Sequence, residues 1–488
     1  MIFFLNAINL VTVLASFVVQ ILIVRFFGAS DATDIYYSII IMTTFITGLS
    51  TGFLTDLFIP IYHDAKKRDV RDAQRLTGGV LTLSILSGSI LTIIVYAFAP
   101  EIVSIFASGF HATKFTDAVR MLRIASLSIV FTSMTTILNS TLNANSFLLI
   151  TYVTNLILPT FNLIAVITLA SRYGVASLMY AILFASMLTF LIVFSYCKNK
   201  VGARFANPLG QKDISYLLKK NIPVRGSHIV NMLRGPLTTT VLSYFPSGNL
   251  TLYSYADKIA SVLVGTTNSP LAQVYYIRSS ELASKKAFYE IRELLLDILR
   301  SSVVLFAGGF FLIVIVFQKA FGVIFAGKVP PDGIHMMFLL LLSLYPFYYS
   351  TLIGTELGAT GLAMKKGRLN FYAAALFVAI LAVSVVPLVK SLSLYGLPIS
   401  LFLAQVSSLV LYAALVNKIE NLIRFEIISA QLNTLIVSVL VLLIGFFMAG
   451  NTVLQLAAES TLFLVWILTN WNSALHAMKM ITAKGEVK

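Results

Sequence analysis

The chain has 488 residues, of which 58% are hydrophobic and only 11% charged, with a formal net charge of +15 and a mean hydropathy of +0.90. Soluble domains carry about 25% charged residues, so a soluble enzyme or binding module is excluded. Apolar runs of ~20 residues recur along the chain, where an outer-membrane barrel would show short alternating segments, so the fold class is an all-α polytopic membrane protein.

In chain order, the first apolar run starts at Met1, lacks a small-residue cleavage site and reads as a spanning helix over about 3–27, with Arg25 near its end. A second helix is expected over about 33–61, with Asp34 at its start and Asp56 within it. Helices at about 77–99, 118–143, 147–170 and 174–197 follow, the last ending at the single Cys197. One cysteine cannot form an internal disulfide. The seventh helix, about 217–245, contains "NIPVRGSHIVNMLRGPLTTTVL" at 221–242. Seven more are expected at about 250–278, 295–318, 335–362, 370–390, 393–417, 430–449 and 453–478. That makes about fourteen spans. Two short amphipathic stretches, "EIVSIFASGF" and "AFGVIFAGKV", are predicted to lie in the interface.

Alternate loops fix the orientation. One set carries "HDAKKRDVRDAQR", "CKNKVGARF" with "LLKK", "SKKAFYEIR", "MKKGR", "NKIENLIR" and the terminal "MKMITAKGEVK". The other set holds "GASDA", "SRYG", "PSGN", "VKSLSLYG" and "AGNT". The basic set is cytoplasmic by the positive-inside rule, which places both termini inside and accounts for most of the net positive charge without nucleic acid.

Three weak matches recur in the same order. "TILNSTLNAN" at 136–145 resembles "TLIGTELGAT" at 351–360, an offset of 215. "VSIFASG" and "GVIFAGK" are offset by 219, and "YGVASL" and "YGLPIS" by 222. Six helices separate the copies, so the halves keep one orientation, as parallel repeats about an axis along the membrane normal. The expected lobes are 1–200 and 213–425, with a terminal helix pair over 426–480 outside the duplication.

No HExxH, GxSxG or Walker loop is present, and five scattered histidines give no metal-ligand spacing. No cofactor, metal or catalytic residue is expected. The candidates are ionisable groups within the membrane. A bare guanidinium at mid-membrane costs at least ~2.5–3.5 kcal/mol, so such a group faces a wet cavity or a partner. Arg225 and His228 are three residues apart on one helix face, with Asn231 one turn further and Arg234 beyond it. A bend licensed by Gly226, Gly235 and Pro236 would let Arg234 share their cavity. Snorkelling of Arg225, a structural ion pair for Arg234 and a satisfied buried role for His228 are the alternatives. Asp56 and Glu356 read as counter-ions for these arginines or as proton carriers. Arg25, Asp34, Asp257 and Lys258 read as cavity residues or as interface anchors.

From "VRFFGASDATDIYYSI" onward, the chain resembles the MurJ (MviN) family, the lipid II flippases of the multidrug/oligosaccharidyl-lipid/polysaccharide exporter superfamily. "FIPIYHDAKK", "APEIVSIFASGF", "ILNSTLNANS", "YSYADKIASVLVG" and the terminal helix pair extend the resemblance over essentially the whole chain. It implies two six-helix lobes, a cationic cavity for a pyrophosphate-sugar headgroup, a lipid-tail groove on the last two helices, and alternating access. It places Arg25 and Asp34 around the FGA-x-x-ATD block, and Asp257 with Lys258 at an Ala-Asp-Arg position. The family's arginines in the first two helices are absent, where this chain reads "VTVLASFVVQILIV" and "TTFITGLSTG", and Lys258 cannot reproduce the planar fork of arginine.

The expected function is a flippase moving a polyprenyl-diphosphate-linked saccharide, lipid II or a related envelope precursor, to the outer leaflet of the bacterial inner membrane. Arg225, Arg234 and Lys258 would hold the diphosphate. Expected partners are that substrate, membrane lipids and envelope-biosynthesis enzymes, with the protein a monomer and no nucleic acid bound. The rival is a cation-coupled drug or metabolite exporter of the same superfamily, which would need Asp56 or Glu356 for coupling. A membrane glycosyltransferase or ligase is excluded, because the hydrophilic loops are too short for a catalytic domain.

Overall fold

The computed structural model describes residues 2–55, 58–325, 327–364 and 366–420, and every regular element in them is a helix. Asp56 and the expected helices at 430–449 and 453–478 lie outside the described residues.

By packing, the chain divides into two compact units, Met1–Thr251 and Leu252–Lys488. The first unit holds α1 (Ile2–Phe27), α2 (Asp31–Thr55), α3 (Phe58–Arg68), α4 (Val70–Ala97), α5 (Ala99–Phe106), α6 (Ala112–Ser126), α7 (Ser128–Ala144), α8 (Leu148–Thr154), α9 (Ile157–Ile164), α10 (Ala170–Tyr173), α11 (Ala176–Val201), α12 (Lys212–Met232) and α13 (Arg234–Ser243). The chain then runs through α14 (Asn249–Ser284) into the second unit, which holds α15 (Phe288–Ile324), α16 (Pro331–Ala363), α17 (Arg368–Leu392) and α18 (Gly396–Glu420).

Eight stretches of the described residues are long and apolar enough to cross a membrane, and one of them, Arg368–Asn417, contains α17 and most of α18. The chain is therefore a polytopic membrane protein.

Several expected spans are broken, and proline explains two of the breaks. Pro159 has no N–H and its ring opposes the Asn155 carbonyl, so the helix stops at Thr154 and restarts at Ile157. Pro236 stands in the same relation to Met232, where α12 ends. A π-helical turn, Ala165–Leu169, joins α9 to α10. Of the two expected interfacial stretches, "EIVSIFASGF" supplies the separate short helix α5, whereas "AFGVIFAGKV" begins as the last turn of the unbroken α15. Nothing in α15 forces a stop before Phe325, because its only glycine pair, Gly308–Gly309, is mid-helix and it contains no proline.

In lipid, helices gain nothing by hiding apolar side chains from each other, so close packing and interhelical hydrogen bonds hold the units together. In the first unit Phe58 and Tyr62 of α3 pack with Leu76 and Val80 of α4, Ile137 of α7, and Ile214 and Leu217 of α12. In the second, Leu271 and Tyr275 of α14 pack with Ile298 and Leu299 of α15, Leu357 of α16, Leu369 of α17 and Tyr412 of α18.

Candidate functional site

The FGA-x-x-ATD block folds into a tight joint within the first unit. Gly28 adopts φ 67°, a left-handed conformation that ends α1, and its N–H closes onto the Val24 carbonyl at 2.7 Å. Thr33 Oγ1 accepts from Ser30 N at 2.9 Å and donates back to the Gly28 carbonyl at 3.0 Å. This fixes the entry into α2. Asp34, only 1% exposed, then receives Gly248 N–H and Thr251 N–H at 2.9 Å each, Thr251 Oγ1 at 2.6 Å and Lys114 Nζ at 2.9 Å. Its carboxylate thus caps the start of α14, where unpaired N–H groups and the helix dipole favour a negative charge. Gly248 has φ 88° and lies against the Ala29 backbone, so no side chain fits there. Lys114 also binds Asp31 at 2.7 Å and sits 4.6 Å from the Phe110 ring centre.

Two expected site residues, Arg25 and Asp34, therefore have different places. Asp34 is the centre of this joint. Arg25 is exposed in the last turn of α1, where a cation complements the carbonyl end of the helix. Lys114 escaped the sequence reading, because a single lysine in "HATKFTDAVR" carries no signal without its partners.

The cationic stretch is divided by the break at Leu233. That residue's N–H turns to Val230 O at 3.1 Å, tightening the last turn of α12 before α13 restarts at Arg234. His228 and Asn231 are exposed on one face of α12, and Arg234 is part-buried at the first position of α13. The side chain of Arg225 lies outside the described residues. Two contacts anchor α13 at its far end. Thr240 Oγ1 donates to the Phe106 carbonyl at 3.2 Å, and Gly109 N–H donates to Ser243 Oγ at 2.9 Å. A Cβ at Gly235 would stand 2.9 Å from Ile41, so α13 lies close against α2. Arg234 is thus set by a held helix.

In the second unit Asp257 accepts a hydrogen bond from the Tyr348 hydroxyl at 2.7 Å, and the neighbouring Lys258 is exposed. Glu356 is 0% exposed on α16, and neither carboxyl oxygen has a hydrogen-bond partner among the described residues. An ionised carboxylate in that position would cost several kcal/mol. One turn along, Thr360 Oγ1 donates to the Glu356 carbonyl at 2.9 Å and lies 2.5 Å from the Tyr275 hydroxyl. Asn370 Nδ2 donates to the Gly358 carbonyl at 3.3 Å, and Tyr412 Oη lies against Gly361. Glu356 makes no ion pair with any described residue, so the counter-ion expectation finds no partner for it there. Among the described residues no cluster of His, Cys, Asp or Glu could hold a metal ion.

A family model described as "Lipid II flippase MurJ" matches residues 23–469. A lipid II flippase MurJ of Burkholderia cenocepacia is 28% identical over 251 residues, covering 49% of each chain. A probable lipid II flippase MurJ of Buchnera aphidicola is 26% identical over 280 residues, covering 55% of this chain and 54% of that one. The chain thus spans about half the length of the curated relatives it matches. A solved structure titled "Lipid II flippase MurJ, inward closed conformation" superposes with a TM-score of 0.75 at 18% identity, covering 99% of both chains. An inward-facing multidrug resistance transporter of the MATE family superposes with a TM-score of 0.66 at 14% identity, covering 84% of this chain and 94% of that one. These two likenesses are of fold.

Proposed function

Because this chain belongs to the lipid II flippase MurJ family, we propose that it moves a polyprenyl-diphosphate-linked saccharide from the inner to the outer leaflet of the bacterial cytoplasmic membrane by alternating access. The observation that carries the reading is the family match across both units, joined to a cationic α12–α13 segment that a diphosphate would satisfy. Arg234 and Arg225 would give charge-assisted hydrogen bonds to phosphate oxygens, and His228 and Asn231 would meet the phosphate or first sugar. The polyprenyl tail stays in lipid, against the terminal segment 426–480.

The same reading sets the topology, with both termini cytoplasmic. The sequence repeats support lobes at 1–200 and 213–425, so α12 and α13 would begin the second lobe in ancestry while packing with the first unit. The chain acts as a monomer, and the enzymes that make and use its substrate are the partners it would meet.

The deciding experiment is reconstitution into liposomes carrying lipid II or another polyprenyl-diphosphate sugar on one leaflet. Appearance of the headgroup on the other leaflet, lost in Arg234→Ala, is the expected result. Export of cationic drugs by the wild type, without headgroup movement, would transfer the assignment to the exporter reading.

A further inference from the structure

Glu356 is an acid where packing needs none. The first repeat aligns Thr141 with Glu356 at the 215-residue offset, and the Thr141 hydroxyl returns to its own helix by donating to the Ile137 carbonyl at 3.0 Å. A neutral side chain therefore fills the corresponding place in the first unit. In the second unit the same position carries a carboxyl with both oxygens unpartnered among the described residues.

Among the described residues, the groups near it on the packed helices are uncharged. α14 supplies Tyr275, α17 supplies Asn370 and α18 supplies Tyr412. α15 supplies Leu295, Ile298 and Leu299, while its Asp297 is part-exposed and its Arg300 exposed. Arg368, at the start of α17, is exposed. A carboxyl in such surroundings satisfies electrostatics by carrying a hydrogen, which makes it both a donor and an acceptor.

We propose that Glu356 is a proton-binding site, filled in this conformation, whose release and reloading couple the carrier's change of state to the proton gradient. The inference rests on the flippase reading for what is coupled, but not for the proton itself. When a change of state admits water, the carboxylic O–H bond breaks, the proton passes to water, and a carboxylate remains. Reprotonation from the other side restores the buried neutral acid.

The test uses the full chain in lipid nanodiscs at about pH 8, where ordinary carboxyl groups are ionised. The infrared spectrum is expected to show the carbonyl stretch of a protonated carboxylic acid, and Glu356→Gln is expected to lose it. Absence of that band in the wild type, or its survival in Glu356→Gln, overturns the proposal. Glu356→Met serves the same comparison if the glutamine variant does not insert.

A second measurement follows flipping of the diphosphate-linked saccharide in proteoliposomes, with the membrane potential clamped by valinomycin and equal potassium. The wild type is expected to slow when the pH gradient is abolished, and Glu356→Gln to lose that dependence. Retained dependence in the variant overturns the coupling. Replacement of the pH gradient by a sodium gradient, with full rate, overturns the proton in favour of an alkali cation. A wild type that flips no saccharide sinks the flippase reading, whereas the infrared band still decides whether Glu356 holds a proton.

Discussion

The Tyr275 hydroxyl lies 2.5 Å from Thr360 Oγ1, joining α14 to α16 inside the second unit. The first unit repeats the pairing, with Asn145 Nδ2 donating to the Tyr62 hydroxyl at 2.8 Å. Tyr62 and Tyr275 are 213 residues apart, and Asn145 and Thr360 are 215 apart, which matches the offset of the repeat expected from the sequence. The sequence repeat included Asn145 and Thr360 but missed the tyrosines, since "FIPIY" and "LAQVY" share only the final residue.

This pairing should be a stabilising unit in the second half. Thr360→Val leaves the buried Tyr275 hydroxyl unsatisfied, at a cost of about 1–3 kcal/mol. Tyr275→Phe with Thr360→Val removes both partners and should cost less than the Thr360 change alone. Thermal unfolding in detergent measures both, and strictly additive losses would show that the bond contributes nothing.

Asp34 is expected to act on folding before it acts on substrate. Its side chain is 2% exposed and that of Lys114 14%, so Asp34→Asn leaves a part-buried ammonium with one carboxylate fewer. Breaking such a pair costs on the order of 3–5 kcal/mol when buried. The loss should appear as reduced folded yield and a lower unfolding temperature, partly recovered by Lys114→Met. Normal stability with lost substrate binding would instead make Asp34 a cavity residue.

At Arg234, charge and geometry should separate. Arg234→Ala should abolish flipping with membrane insertion unchanged, while Arg234→Lys should keep part of it, as a point charge still attracts phosphate but cannot fork onto two oxygens. Equal flipping by Arg234→Ala and the parent would remove this residue from the site.

The exposed ion pairs should contribute little. The hydrogen bond from Lys285 at 2.6 Å, and then its charge, hold the Glu281 carboxyl below its ordinary range. A lowered folded-state value means that its stabilisation is present above the ordinary carboxylate range and fades as pH falls through the folded value. Arg68 is raised in the same way by its hydrogen bond to Asp213 and then by that residue's charge. Both pairs face solvent and are screened, so Glu281→Gln or Asp213→Asn should leave the unfolding temperature near neutral pH unchanged. A clear drop that vanishes in high salt would contradict this.

The membrane potential should assist the proposed flipping. A diphosphate headgroup carries about two negative charges, and each gains ~2.3 kcal/mol per 100 mV on moving outward from a negative interior. The total is roughly 4–5 kcal/mol, less whatever the cavity arginines neutralise. Collapsing the potential with valinomycin and potassium, at fixed pH and sodium gradients, should slow outward flipping. An unchanged rate would remove the electrophoretic contribution.

Composition alone determined the class of this protein, because 58% hydrophobic and 11% charged residues leave a chain no way to fold except across lipid. Helix positions were legible for the same reason, each span needing ~20 apolar residues, and Pro236 marked one break, whereas the break before Pro159 was not read. The identities of candidate ionisable residues were equally visible, since a charge in an apolar run stands out by its cost. Their roles were not. Asp34 and Glu356 look alike in sequence, each an acid in an apolar setting. Folding brings Lys114 and two backbone N–H groups to the first and only neutral groups to the second among the described residues. Those partners come from up to 217 residues away, and no local pattern encodes them. What a buried charge does depends on what tertiary packing sets against it, and that decision belongs to the fold.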